Sequence, residues 1–241
     1  MTTASAPLFR RVAAEFGGSA SLTAMVVGSG IAATNLTDDV GIQLLINAIA
    51  TAFGLFVLIT VLGPLSGAHV NPVVSLADYA SGGAPFRDMV PYITAQILGC
   101  IAGSILANIM FDLPPAAMSS TDRISSGHLV AEVVATAGLV FAIFALARSG
   151  NGSWTAGVVA TYVGSAYFFT SSTSFANPAI TIGRMFTDTF AGISPASALP
   201  FIGAQLLGAA LGWIALQALI PAEPTERRQA SAARTVPTVS S

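Results

Sequence analysis

Two Asn-Pro tripeptides, each inside a long stretch without a single charge, constrain this chain more than any other feature. They are Asn71-Pro72-Val73 and Asn177-Pro178-Ala179, in the uncharged runs 40–77 and 149–183. A helix break there would leave backbone polar groups unpaired in hydrocarbon. Such breaks persist at membrane depth only where they line a water-filled cavity or are buried in protein. Two of them, one in each half of the chain, point to a pore.

The chain of 241 residues is 54% hydrophobic and 8% charged, against the roughly 25% charged expected of a soluble domain. Its length suits one integral membrane domain of about six spans of roughly 20 apolar residues each. A net charge of −2 argues for neither nucleic acid nor an acidic substrate. Cys100 is the only cysteine, which rules out an intrachain disulfide and a cysteine-based metal site. The first seven residues lack the basic residues of a signal peptide, and a full-length span follows Arg11.

The two long uncharged runs each read as a span, a connecting loop and a half-length helix starting at the proline. Proline suits the first helical position, where its missing N–H costs nothing. A helix from Pro72 to about Tyr79 rises only ~12 Å at ~1.5 Å per residue. That is less than half of a hydrocarbon core of about 30 Å, so it goes in and comes back. The predicted fold is therefore an all-α membrane protein of six transmembrane helices and two re-entrant half-helices.

The halves also resemble each other. Ala14-Glu15-Phe16 opens the first span and Ala131-Glu132-Val133 the fourth. Three spans per half is odd, so the second half must be inverted relative to the first. Inverted repeats place the functional site near the bilayer midplane. The predicted layout is a segment 1–10, a channel domain 11–220 with repeats at about 11–111 and 127–219, and a disordered tail 221–241. One side of the membrane collects Arg10, Arg11, Arg87, Arg148, Arg227, Arg228 and Arg234, the other only Arg123 and Arg184. That excess puts both termini in the cytoplasm.

Ser66-Gly67-Ala68-His69-Val70-Asn71-Pro72-Val73 and Ser174-Phe175-Ala176-Asn177-Pro178-Ala179 resemble the two signature loops of the aquaporin (major intrinsic protein) family. The similarity covers roughly residues 11–219. It implies an hourglass pore through each subunit of a homotetramer, in a cell membrane and most simply a bacterial inner membrane. Asn71 and Asn177 would offer amide donors to passing water or polyol, with Val73 and Ala179 packing the prolines at the break. Helix dipoles aimed at the midplane would disfavour cations there.

At the selectivity filter the chain departs from that family. Where members usually carry arginine immediately after the second motif, Ile180 stands here. An ungapped count places other filter positions at Ser174 and Ser165. On the second span, matching Ala52-Phe53-Gly54 selects Phe53, whereas an ungapped count selects Thr51. Either set lacks the charge and implies a widened constriction. Arg184, four residues after Ile180, would line the outer vestibule or pair with Asp188 at i+4; the pairing is the expectation. Thr181-Ile182-Gly183-Arg184 resembles bacterial members associated with arsenic-handling genes, which suggests arsenite-like or methylated metalloid solutes.

Glu15 and Glu132 are intramembrane carboxylates, by default a functional hint. The resemblance implies instead that they support the re-entrant loops, with His69 as a brace or a pH-sensitive group. No cluster has metal-ligand spacing and no cofactor is expected. The reading is a passive channel, not an enzyme, for water and small uncharged solutes. A water-only channel, a small anion channel or secondary transporter, and a closed structural protein are the alternatives.

Overall fold

The computed structural model describes residues 6–221 and is all-helical apart from its connections. The predicted tail falls, beyond Pro221, outside the described residues, as do the first five. Helix α1 (Leu8–Leu36) already begins within the expected terminal segment 1–10. There follow α2 (Val40–Ser66), the short α3 (Pro72–Ala80), α4 (Phe86–Met110), α5 (Ser126–Arg148), α6 (Thr155–Phe169), the short α7 (Pro178–Gly183) and α8 (Pro195–Leu219). Single 3₁₀ turns, Gly152–Trp154 and Arg184–Phe186, precede α6 and follow α7.

Five helices, α1, α2, α4, α5 and α8, are long and apolar enough to cross a membrane. The remaining helix expected to cross, α6, has 15 residues. At ~1.5 Å per residue it rises ~22 Å, short of a core of about 30 Å. The chain is a multi-span membrane protein of long helices with two half-length ones between them.

Each half is built on one close helix pair, α1 with α4 and α5 with α8. The contact needs glycine. A Cβ on Gly99 would lie 2.4 Å from the carbonyl oxygen of Phe16, and one on Gly103 2.2 Å from that of Ala20. The second half repeats this, Gly208 against Val133 at 2.5 Å and Gly212 against Ala137 at 2.3 Å. Small residues let backbones approach in membranes, where packing rather than hydrophobic burial drives association. Gly203, one residue off that stripe, would meet nothing.

The short helices bind the halves together. Helix α7 lies on α4, and α3 contacts α4, α8 and α5. Gly183 sets the depth of α7, because a Cβ there would be 2.6 Å from the Cys100 carbonyl oxygen on α4. Both short helices start as predicted, with Asn71 and Asn177 as N-caps and proline at the first helical position.

Candidate functional site

The loops leading into α3 and α7 run through left-handed conformations that side chains rarely adopt. Ala68 and Val70 have φ of 48° and 43°, and their counterparts Ser174 and Ala176 have 53° and 46°. Such positions cost roughly 1–3 kcal/mol each and persist only where surroundings over-determine them. The determining groups are the two glutamates. Glu15 accepts from the Ser66 hydroxyl at 2.7 Å and from the amides of His69 and Val70 at 3.0 and 2.7 Å. Glu132 accepts from the amides of Phe175 and Ala176, both at 2.9 Å. Both carboxylates are fully buried, about two turns inside their helices rather than at the helix starts.

A glutamine completes each network. Gln96 donates to Glu15 at 2.8 Å and to the Ser75 hydroxyl at 2.9 Å. Gln205 donates to Glu132 at 2.7 Å and to the Thr181 hydroxyl at 2.9 Å. Sequence reasoning missed both. The available signal was the repeated Ala-Gln-x-Leu-Gly at 95–99 and 204–208, which carries the glutamine and the packing glycine together. His69 pairs its Nδ1 with the Ser75 hydroxyl at 3.1 Å and packs edge-on to Tyr92, while its ring borders the cavity described below.

With carbonyls turned inward, the two loops cross-link. The Asn71 amide donates to the Ala176 carbonyl and the Asn177 amide to the Val70 carbonyl, both at 2.8 Å. Each asparagine oxygen accepts from its own helix start, Val73 for Asn71, Ala179 and Ile180 for Asn177. Capping and donating are thus done by opposite ends of one amide group. An NH₂ has two protons, so each asparagine keeps one beyond its cross-link.

Both asparagines border one cavity of about 290 Å³ that runs from Asp78 and Thr155 past the motifs to Tyr167 and Arg184. Val73 and Ala179 are fully buried at the junction behind it. Most of the wall is aliphatic, with Leu22, Leu55, Leu139 and Val159 among its residues. Polar groups are confined to the amides, loop carbonyls and the two ends.

Several expected filter residues lie elsewhere. Phe53 is 70% exposed on the outer surface, whereas Thr51 is buried and borders the cavity. The inward line of α2 is Asn47, Thr51, Leu55 and Leu58; Phe53, about 200° round a 3.6-residue helix from Thr51, must face outward. Ser165 is also exposed, its hydroxyl bonded back to the Thr161 carbonyl. The inward side chain of α6 is Tyr167, whose hydroxyl meets that of Thr51 at 3.0 Å. The ungapped count failed because the loop between α6 and Asn177 places the facing position ten residues before the asparagine, not twelve. Ser174 and Ile180 do border the cavity.

The expected Arg184–Asp188 pairing is overturned. The helix does not continue past Arg184, which opens a 3₁₀ turn, and Thr187 is extended, so i and i+4 do not align. Asp188 instead accepts from the amide and hydroxyl of Ser120 at 2.9 and 3.0 Å. Arg184 donates through Nε to the Ala191 carbonyl, stacks over Phe175 with 3.5 Å to the ring centroid, and borders the cavity. A guanidinium therefore reaches the cavity that Ile180 also borders, from one turn further along. Phe175 and Arg123, which stands 5.4 Å from the same ring, were not foreseen either.

The major intrinsic protein family model matches residues 2–175, well over half of the chain. The chain belongs to the major intrinsic protein family. That match stops just before Asn177, so the second motif's kinship to the first rests on the networks described above. Across 224 residues the chain is 47% identical to aquaglyceroporin AqpS of Rhizobium meliloti (strain 1021), covering 92% of this chain and 95% of that protein. A probable TIP-type aquaporin of Medicago truncatula is 37% identical over 131 residues, 52% of each chain. The X-ray structure of the aquaglyceroporin from Plasmodium falciparum superposes with a TM-score of 0.62 at 22% identity, covering 89% of this chain and 97% of that one, which speaks to the fold. The aquaporin fold expected of this family is the one described.

Proposed function

We infer that this major intrinsic protein is a passive channel, not an enzyme, that conducts water and small uncharged solutes of the glycerol type. The observation that carries the reading is the junction itself, where two half-helices meet through reciprocal amide-to-carbonyl bonds beside one continuous cavity. Water passing there accepts the spare N–H of Asn71 and of Asn177 and must turn its own protons away from the junction. That orientation interrupts the hydrogen-bonded wire along which a proton would hop. The N-termini of α3 and α7 add positive potential, which disfavours cations. Loop carbonyls of Val70 and Ala176, held inward by Glu15 and Glu132, line the approach and replace hydration lost by the solute.

The finer reading has six crossings, with α6 and its leading 3₁₀ turn as the shortest, and three crossings per inverted repeat. Both termini face the cytoplasm of a bacterial inner membrane, supported by the arginine distribution. A homotetramer accords with the long outward apolar faces, Phe53, Val57 and Val61 on α2 among them. Thr51, Tyr167, Ser174, Ile180 and Arg184 form the constriction, and its hydroxyls and guanidinium suit polyols, with uncharged metalloid hydroxides a further class of solute. His69 braces the loop into α3 at the other end.

Stopped-flow light scattering on proteoliposomes tests this. Glycerol flux well above that of protein-free vesicles is expected, linear in concentration and indifferent to a proton gradient. Water flux without glycerol flux would mark a water-only channel. Flux that saturates or follows the proton gradient would mark a transporter. Replacing Ile180→Arg should cut passage of glycerol and arsenite while sparing water; unchanged solute fluxes would remove Ile180 from the constriction.

A further inference from the structure

Helices α1 and α4 begin side by side, and their starts carry more positive charge than the described residues neutralise there. Arg11 donates to the Asp88 carboxylate at 2.6 Å, and Arg87 approaches the other oxygen of the same group at 3.6 Å. Arg10, next along α1, has no carboxylate in ion-pair range among the described residues, whose ion pairs both involve Asp88. Three guanidinium groups thus stand against one carboxylate, a net charge of +2. Asp78, at the end of α3, turns instead to the Ala84 amide and borders the channel cavity.

The surplus charge is accessible, and the surface beside it is apolar. Arg87 leaves 86% of its side chain exposed and Arg10 is exposed, whereas Asp88 is buried. Phe9 and Phe86, each adjacent in sequence to an exposed arginine, are exposed themselves. Val90 and Leu98 carry that apolar surface along α4, and Ala13 and Phe16 carry it along α1. Both helices also start after a proline with no side-chain cap, unlike α2, α3, α5, α7 and α8. Their first-turn amides add partial positive charge to the arginines' own.

We propose that this corner binds an anionic phospholipid, its phosphate held by Arg10 and Arg87 and its acyl chains laid along the exposed faces of α1 and α4. A guanidinium fork matches phosphate oxygens through paired N–H donors. The charge and the apolar surface call for one ligand that answers both. A free anion meets the arginines but gains nothing from Phe9, Phe86 and Val90. A zwitterionic lipid covers those side chains but brings an ammonium group to the arginines. An anionic lipid does both without a conflicting charge. Asp88 does not oppose it, being buried and already bound to Arg11.

The corner lies one ring away from the loop into α3. The Arg11 guanidinium stands 5.8 Å from the Tyr92 ring centroid, and the Tyr92 hydroxyl donates to the Ser66 carbonyl at 2.8 Å. A lipid that orders the arginines around Asp88 therefore steadies the start of that loop. Because it binds the folded chain alone, it also raises the chain's stability. Lipid binding here is independent of conduction and is measured without a flux, so a chain that conducts nothing leaves the site untouched.

Native mass spectrometry of the detergent-purified full chain, titrated with dioleoyl phosphatidylglycerol or dioleoyl phosphatidylcholine, tests the site. The first phosphatidylglycerol should bind several times more tightly than phosphatidylcholine, which has the same chains. Arg10→Gln and Arg87→Gln should each weaken phosphatidylglycerol about fivefold and leave phosphatidylcholine unchanged. Arg148→Gln, at the end of α5, removes an arginine that holds the Leu216 and Ile220 carbonyls, and should alter neither affinity. Equal affinity for the two lipids, or an equal loss in Arg148→Gln and Arg87→Gln, would overturn the site. Thermal unfolding gives a second reading, since both substituted arginines are exposed and spare the fold. Phosphatidylglycerol should raise the wild-type midpoint and leave that of the double variant Arg10→Gln/Arg87→Gln where it was; equal rises reject the assignment. Sodium phosphate should raise the midpoint no more than sodium chloride at the same ionic strength, and a larger rise would mark a free-anion site instead of a lipid site.

Discussion

At the scale of single residues, the account turns on a few buried polar groups with no spare partners. Glu15 alone accepts from the Ser66 hydroxyl and two loop amides, and it shares the Gln96 amide with the Ser75 hydroxyl. Replacing Glu15→Ala leaves that hydroxyl and the two amides unpaired, at about 1–3 kcal/mol each. The expected outcome is a large fall in thermal stability in detergent together with loss of water flux; Glu15→Gln, which keeps one acceptor, should fall between. Phe53→Ala makes a contrasting case: because Phe53 faces outward, the glycerol-to-water flux ratio should stay at its wild-type value, and a changed ratio would return Phe53 to the constriction. Asp188 holds the 119–121 loop through the Ser120 amide first and its hydroxyl second, which keep its carboxyl below the usual carboxylate range. A pKa lowered by folding contributes stability above the unfolded value of ~3.9 and loses it as pH falls through the folded one. Thermal unfolding measured from pH 5 down to pH 2 should therefore lose a step in Asp188→Asn that the wild type shows.

At the scale of elements, close helix pairs and broken loops divide what could be read from the chain. The half-helices were legible because proline after a capping asparagine fixes a helix start whatever surrounds it, and α3 and α7 begin at Pro72 and Pro178. Side-chain facing was less legible. It depends on loop length, and a loop of different length turned Tyr167 inward and Ser165 outward without changing the motif. Arg184 was misjudged because helical i, i+4 geometry was carried past the end of α7, where the backbone has already become extended. Gln96 and Gln205 went unseen although their local sequence repeats, because a polar residue in an apolar run shows its purpose only when its partner from another helix is known. The glycine stripe predicts asymmetric tolerance. Gly103→Leu and Gly212→Leu should abolish folded yield, since even a Cβ would lie 2.2–2.3 Å from a backbone oxygen of the facing helix. Gly203→Ala, with nothing nearby, should match the wild-type melting temperature or gain slightly from helix propensity.

Across the whole molecule, the two halves are tied less by their long helices than by what happens at the junction. Long-helix pairs stay within a half, α1 with α4 and α5 with α8, apart from α2 with α6, while the short helices cross over to the other half. The asparagine cross-links fasten those crossings, so the walls of the cavity come from both halves and neither half encloses it alone. A channel of this construction conducts without large rearrangement, because its loops are pinned by buried carboxylates rather than left free to move. The most direct test is the osmotic water permeability of proteoliposomes carrying the full chain, with proton leak followed in the same vesicles by an internal pH dye. The expected result is shrinkage many times faster than in protein-free vesicles with no added proton leak. Shrinkage at the protein-free rate from demonstrably folded protein, or fast water flux accompanied by protons, would contradict it.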